Sequence, residues 1–534
     1  MKLVFVTWWA ISWLWKWVTS ASIWKIIKSA WLNVWMIKMD PYLQVDAWTM
    51  SPYEHWEVFV TDDWWETDLD LWNYERFTDE NLTKDSNITT WKVYLNVINK
   101  ERKWDYLWQT VQIIPHITNE IKDNILNIAN KYDVTIIEVW WTVWDIESQP
   151  FLESIRQLRN DLWYNNVAFV HVAPLLYLNY SWEIKTKLIQ HSVIKLREYG
   201  ILPDIIVARS EKEIDKQIKA KISLMCWVAE KNVIDAVNVK SIYQIPERFK
   251  SQNIDKILFD HFWIKNKKAD LKKWNSLVDK IINTEKVINI AVIWKYVEFE
   301  DTYKSINEAL IHSWVANNVK INSLWISSEN KDKLKENLKK LHWEKEIHWI
   351  LVPWWFGERW VEWKIYASKF AREKNIPFLG ICLWLQIAVI DFARNVCDLK
   401  DANSTEFKEK CENPVIDYME EQKNITAKWW TMRLWAYDAI LEKWTLAYKL
   451  YWTKEISERH RHRYEVNVDY HKILKDNWLV ISWLSPNKQL VEFIEIKGHP
   501  YYIATQAHPE FKSRLEKPHP LFVWLIKAAK LYKI

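Results

Sequence analysis

Leu3-Val4-Phe5-Val6-Thr7-Trp8-Trp9-Ala10-Ile11-Ser12-Trp13-Leu14-Trp15-Lys16-Trp17-Val18 opens the chain with an apolar run, a stretch dense in indoles and a single lysine. As printed, residues 1–24 have the outline of an export signal or membrane segment, but Lys16 in the middle argues against a span. With glycine at the indole positions the same residues become a strand, a loop T-G-G-A-I-S-G-L-G-K-G and the start of a helix. Such a loop lets backbone N–H groups converge on phosphate oxygens, with the helix N-terminus and Lys16 adding positive potential. Trp17 follows the lysine where the standard phosphate loop has Ser or Thr. No targeting segment is expected.

Composition supports the substitution. The chain has 42 Trp and only 4 Gly in 534 residues, whereas ordinary usage of about 7% predicts roughly 37 glycines. The two counts sum to 42 + 4 = 46, a normal glycine complement plus a few genuine tryptophans. Indoles occur in pairs after Thr7, Asp63, Val139, Pro353 and Lys428, at expected strand–loop junctions. Such turns often need positive φ or close backbone approach, which glycine supplies. The expectation is that most of these positions are glycine in the native protein, encoded by UGA codons that this translation reads as tryptophan. UGG codons at Trp8, Trp9, Trp15 and Trp17 would refute it.

Outward from this opening, apolar runs at 3–6, 134–139, 167–172 and 205–207 alternate with helical stretches, the pattern of a parallel α/β sheet. A lysine-rich stretch over 266–286 reads as a linker. A fresh α/β pattern follows at 287–293, 350–352, 378–382 and 502–505. The expected domains are therefore 1–265 and 287–534. Net charge of +4 gives no case for nucleic acid. Four scattered cysteines without a C-x-x-C pair exclude a zinc or disulfide framework and fit a reducing cytoplasm.

Two constellations carry chemistry. Beside the phosphate loop stand the acidic run Glu66-Thr67-Asp68-Leu69-Asp70 and Glu138, which ends the apolar run 134–137. A carboxylate at the end of a central strand near such a loop is where Mg²⁺ is usually held. In the second half, residues 379–386 read L-G-I-C-L-G-L-Q with glycine at 384, placing Cys382 on a sharp strand–helix turn that exposes its sulfur. His508 in Gln506-Ala507-His508-Pro509-Glu510 supplies a base, oriented by Glu510. Pro353-Trp354-Trp355-Phe356-Gly357, restored as P-G-G-F-G, would furnish oxyanion donors. Cys226, Cys397 and Cys411 lack such surroundings and read as structural.

The phosphate loop, Lys38-Met39-Asp40-Pro41-Tyr42, Gln112-Ile113-Ile114-Pro115-His116-Ile117-Thr118 and Asp145-Ile146-Glu147-Ser148 resemble the CTP synthase family, and the likeness runs along essentially the whole chain. The Cys382 segment resembles class I glutamine amidotransferases. The implied fold is a P-loop-type parallel-sheet amidoligase domain followed by an α/β glutaminase domain. The implied activity is a carbon–nitrogen ligase that makes CTP from UTP, ATP and glutamine-derived ammonia. By this resemblance Trp13, Leu14, Trp15, Lys16, Trp17, Val18, Asp70, Val237, Asn238 and Val239 would bind ATP, and Asp70 and Glu138 would hold Mg²⁺. Ser12, Asp145, Ile146, Glu147, Lys185, Thr186, Lys187, Leu188, Ile189, Gln190 and Lys221 would bind UTP or the inhibitor CTP. Trp355, Leu383, Trp384, Leu385, Gln386, Glu406 and Arg463 would bind glutamine.

The resemblance further implies GTP as activator, a homotetramer, and an ammonia path near Pro52, His55 and Val58, with no nucleic-acid or membrane partner. Two departures stand out. The family's K-T-K-P-T-Q is Lys185-Thr186-Lys187-Leu188-Ile189-Gln190 here, and residues 237–239 lack the lysine and aspartate common on the adenine side. The alternatives are a cobyrinate-type amidoligase with the same two modules, or a non-catalytic filament-forming protein.

Overall fold

A computed structural model describes residues 1–9, 16–45, 58–178, 183–294, 303–327, 336–341, 344, 347–351, 361–418, 432–485 and 489–532. The described chain forms two compact units, one of residues 1–54 and 67–282, the other of 55–66 and 283–534. The expected linker 266–286 contains the helix Lys272–Asn283, anchored by buried Trp274, whose indole N–H donates to the Tyr243 carbonyl at 2.8 Å.

The first unit is built on a seven-stranded sheet. Its strands are β1 (Lys2–Trp8), β2 (Val34–Asp40), β3 (Asn87–Thr89), β4 (Val134–Thr142), β5 (Val167–Pro174), β6 (Ile205–Ser210) and β7 (Val233–Val237), in the order β7-β6-β5-β1-β4-β2-β3. Every pairing is parallel. Parallel strands buried on both faces need continuous apolar runs, which is why β1 and β4 read as Leu-Val-Phe-Val and Val-Thr-Ile-Ile rather than as alternating patterns. Glu138 breaks the β4 run, opposite Val6 on one side and Lys38 on the other.

The second unit carries a mixed nine-stranded sheet. Its strands are β8 (Val287–Trp294), β9 (Lys320–Ser327), β10 (Ile350–Leu351), β11 (Phe378–Ile381), β12 (Arg433–Leu441), β13 (Glu455–His462), β14 (Leu479–Leu484), β15 (Val491–Ile496) and β16 (Tyr502–Thr505), ordered β9-β8-β10-β11-β16-β15-β14-β12-β13. The half from β9 to β16 is parallel and the remainder antiparallel.

Backbone geometry bears on the tryptophans. Trp227, Trp263 and Trp452 end helices in the left-handed conformation, with φ of 58°, 57° and 56°, at a position usually taken by glycine. Trp163 adopts φ 69°, ψ 151°, a region that is essentially glycine's alone. Buried indoles are also ill served. The Nε1 atoms of Trp24, Trp72, Trp349 and Trp483 find no hydrogen-bond partner among the described residues, although buried donors are nearly always paired. The rings of Trp9 and Trp144 crowd to 3.5 Å between centroids, well inside the spacing that aromatic pairs prefer.

Candidate active sites

β11 and β16 are parallel neighbours, with Ile381 opposite Thr505. Residues that follow their carboxyl ends therefore emerge side by side, where open α/β sheets place ligands. Cys382 comes directly after β11 at φ 57°, ψ −110° and opens the helix Leu383–Asn395. This is the expected elbow. Its N–H donates to the Thr505 carbonyl at 2.7 Å. Gly380 is required beside it, because a Cβ there would stand 2.8 Å from the Cβ of Ala504.

His508 lies just beyond β16. Its Nδ1 is 2.7 Å from Glu510 Oε1, and both side chains are buried. Burial opposes charge on this imidazole, but the Glu510 carboxylate and Cys382 outweigh it and lift the pKa to about 10. The sulfur of Cys382 donates to the Arg461 carbonyl at 3.7 Å and accepts from Gln506 Nε2 at 3.9 Å. Cys382, His508 and Glu510 are thus brought together from strand ends far apart in sequence.

The expected glutamine-binding residues fall partly around this centre. Leu383, Trp384, Leu385 and Gln386 form the buried first turn of the elbow helix, and Gln386 Nε2 donates to the Tyr464 carbonyl at 2.8 Å. Glu406 is held above the usual carboxylate range by burial, against the opposing charges of Lys364 and Arg463. Trp355 and the oxyanion loop lie outside the described residues, as do Ser12, Trp13, Leu14 and Trp15.

In the first unit, Lys16 begins the helix Lys16–Lys28, Asp70 begins the helix Asp70–Thr78, and Glu138 sits within β4. They converge at the carboxyl end of the sheet. Lys16 Nζ is 3.8 Å from Asp70 Oδ2. Burial lowers its pKa to about 8 despite that carboxylate. Burial raises Glu138 to about 7, with Lys16 opposing, and neither of its carboxylate oxygens has a hydrogen-bond partner among the described residues. Trp17 and Val18 continue the Lys16 helix, and Val237 to Val239 follow at the end of β7, where Arg209 Nη2 donates to the Asn238 side chain.

The proposed uridine contacts lie on three separate elements. Asp145, Ile146 and Glu147 form a tight turn after β4. Lys185 to Gln190 run from a short strand into the helix Lys187–Glu198. Lys221 lies within the helix Lys216–Cys226.

Sequence reading missed several residues. Lys38, fully buried in β2, pairs with Asp40 at 3.0 Å, with Asp70 at 3.1 Å and with Asp68. Burial would lower its pKa, but these three carboxylates raise it well above the usual lysine value. Glu66, expected to belong to the acidic cluster at the phosphate site, instead binds Arg461 at 3.0 Å in the second unit. The run Arg459-His460-Arg461-His462-Arg463 is tied to acidic side chains. His460 bonds Glu492 and His462 bonds Glu465, both at 2.6 Å, and buried Arg433 bridges the two carboxylates at 2.8 Å each. Lysine in an apolar strand and acids far apart in sequence leave no periodic signal from which this pairing could be read.

A cysteine–histidine–glutamate centre on one α/β unit, joined to a parallel-sheet unit that gathers lysines and carboxylates at its strand ends, defines a glutamine-dependent amidoligase. Family comparison agrees: residues 2–264 match the CTP synthase N-terminus and residues 298–528 match class I glutamine amidotransferase. The CTP synthases of Methanococcus maripaludis and Methanocaldococcus jannaschii are 53% and 52% identical, over 99% and 100% of this chain and 99% of each relative. Among solved structures, the glutaminase domain of Trypanosoma brucei CTPS with bound acivicin is 34% identical, covering 46% of this chain and 94% of that one with a TM-score of 0.43. The chain belongs to the CTP synthase family.

Proposed function

We propose that the chain aminates UTP to CTP, with the chemistry divided between its two sites. In the first unit the γ-phosphoryl group of ATP passes to the uracil 4-oxygen, leaving ADP, and ammonia then attacks C4 as inorganic phosphate departs. Lys16 carries positive charge toward the phosphates, and Lys38 holds Asp70 and Asp68 in place. Asp70 and the unsatisfied carboxylate of Glu138 suit Mg²⁺, which takes one or two protein carboxylates along with substrate phosphates. Bound there, it would neutralise charge building on the transferred group.

In the second unit the Cys382 sulfur, its proton taken up by His508, attacks the glutamine amide carbon. The C–N bond breaks as ammonia leaves with a proton from His508, and water hydrolyses the thioester to glutamate and free thiol. A His508 pKa near 10 keeps the imidazole protonated at neutral pH, the form that donates to the leaving group. GTP activates the enzyme, CTP competes at the UTP residues, and the working assembly is a cytoplasmic homotetramer. Among the described residues, no helix is long and apolar enough to cross a membrane.

This function requires glycine at most tryptophan positions. Lys16 Nζ stands 3.8 Å from the Trp140 ring centroid and 5.3 Å from that of Trp8, so indoles occupy the room a phosphate would need. Glycine at 8 and 140 opens the space around Lys16. The observation that carries the reading is the Cys382–His508–Glu510 centre in one chain with Lys16, Asp70 and Glu138. Its test is Cys382→Ala in the glycine-decoded chain, which should abolish glutamine-dependent CTP formation and keep the ammonia-dependent reaction. Loss of both in a folded variant, or retention of both, refutes the division.

A further inference from the structure

Residues 55–66 leave the first unit and join the second. The described part of this arm meets β13 through two acids. Asp62 Oδ1 lies 2.6 Å from Arg459 Nε and 3.5 Å from Lys512 Nζ, and Glu66 Oε1 lies 3.0 Å from Arg461 Nε. Arg459 and Arg461 are both buried and two apart on one strand, so their side chains share a face. The carbonyls of the same two residues hold the catalytic pair: Arg459 O accepts from the backbone N–H of His508 at 2.8 Å, and Arg461 O accepts from the Cys382 sulfur at 3.7 Å.

A second line of contact ends at the same histidine. The Phe59 ring meets Phe511 edge-on at 5.3 Å, and Phe511 stacks on the His508 ring at 5.2 Å and 16°. Phe59 also lies under the Arg459 guanidinium, 4.8 Å from ring to cation.

We infer that Asp62, Glu66 and Phe59 are positioning residues for the glutaminase centre, holding β13 so that Cys382 and His508 keep their reactive alignment. The carboxylates fix the two guanidinium groups. Because both arginines are buried and paired, the acids tether β13 at two points on one face, and so indirectly hold the acceptors of the catalytic residues that this strand carries. Asp68 and Asp70, which meet the lysines of the first unit, lie two and four residues beyond Glu66 along the chain. This inference rests on the glutaminase reading above.

The test uses the full-length glycine-decoded enzyme with Asp62→Asn, Glu66→Gln and Asp62→Glu. Glutamine-dependent synthesis should fall about tenfold or more in the first two, through kcat rather than KM, while the ammonia-dependent rate stays within about twofold. Asp62→Glu, which keeps the carboxylate, should restore most of the loss. A readout independent of catalysis is alkylation by iodoacetamide, mapped by mass spectrometry. Cys382 should react about fivefold more slowly at neutral pH in the Asn and Gln variants, with Cys397 and Cys411 unchanged. Unchanged Cys382 alkylation, or glutamine- and ammonia-dependent rates falling together, overturns the inference. If the parent enzyme makes no CTP from glutamine, the functional reading fails while the alkylation result still decides the arm.

Discussion

Trp163 offers a direct measurement of what the backbone asks for. It follows the helix Gln149–Leu162 at φ 69°, ψ 151°, and its side chain is 79% exposed. A non-glycine residue held there costs about 1 to 3 kcal/mol. Removing the indole forfeits little burial, since most of it faces solvent. Glycine returns about 0.4 to 1 kcal/mol through the greater freedom of the unfolded chain. Trp163→Gly should therefore stabilise the protein by about 0.6 to 2 kcal/mol, the low and high ends of the two ranges subtracted in turn. Trp163→Ala serves as the control. Alanine removes the ring but keeps the Cβ that this φ penalises, so it should gain little. Urea unfolding of the three proteins, compared at constant m, gives the answer. Equal gains for glycine and alanine would attribute the effect to the ring, and a destabilised glycine variant would refute the conformational argument altogether.

Two further expectations concern the glutaminase centre. His508 has a folded pKa raised above its ordinary 6.5 to about 10, so its pairing with Glu510 stabilises the fold fully below pH 6.5, and that contribution is lost as pH rises through 10. In Glu510→Gln the stability deficit should be largest at pH 6 and shrink toward pH 10, as followed by denaturant midpoints across that range. Gly380→Ala places a methyl 2.8 Å from the Cβ of Ala504, an overpacking worth about 1 to 3 kcal/mol. Adding Ala504→Gly should recover part of the loss in a double-mutant cycle, and strict additivity would show that the two sites do not touch.

Much of the fold was legible along the chain because its signals are local. Buried parallel strands require unbroken apolar runs, so β1 and β4 announce themselves. The turn at Cys382 needs a small residue before it and a helix after it, and Gly380 and residues 383–395 supply both. Residues 7–17 read as a phosphate loop only once the indoles are taken as glycines, since a bulky ring hides the conformational freedom that marks such turns. The structure describes the elbow but not residues 10–15 of the loop.

Sequence alone determined the class of chemistry, because Cys382, His508 with Glu510, and Lys16 are residue types whose immediate neighbours mark their roles. Tertiary structure alone decided their alignment. That Lys38 gathers Asp40, Asp68 and Asp70, that Arg433 bridges Glu465 and Glu492, and that Asp62 and Glu66 reach across to β13 are pairings between distant segments. A charged side chain in a sequence looks the same whether it faces water or a buried partner. Only the packing of strands against each other removes the water and leaves one partner to choose.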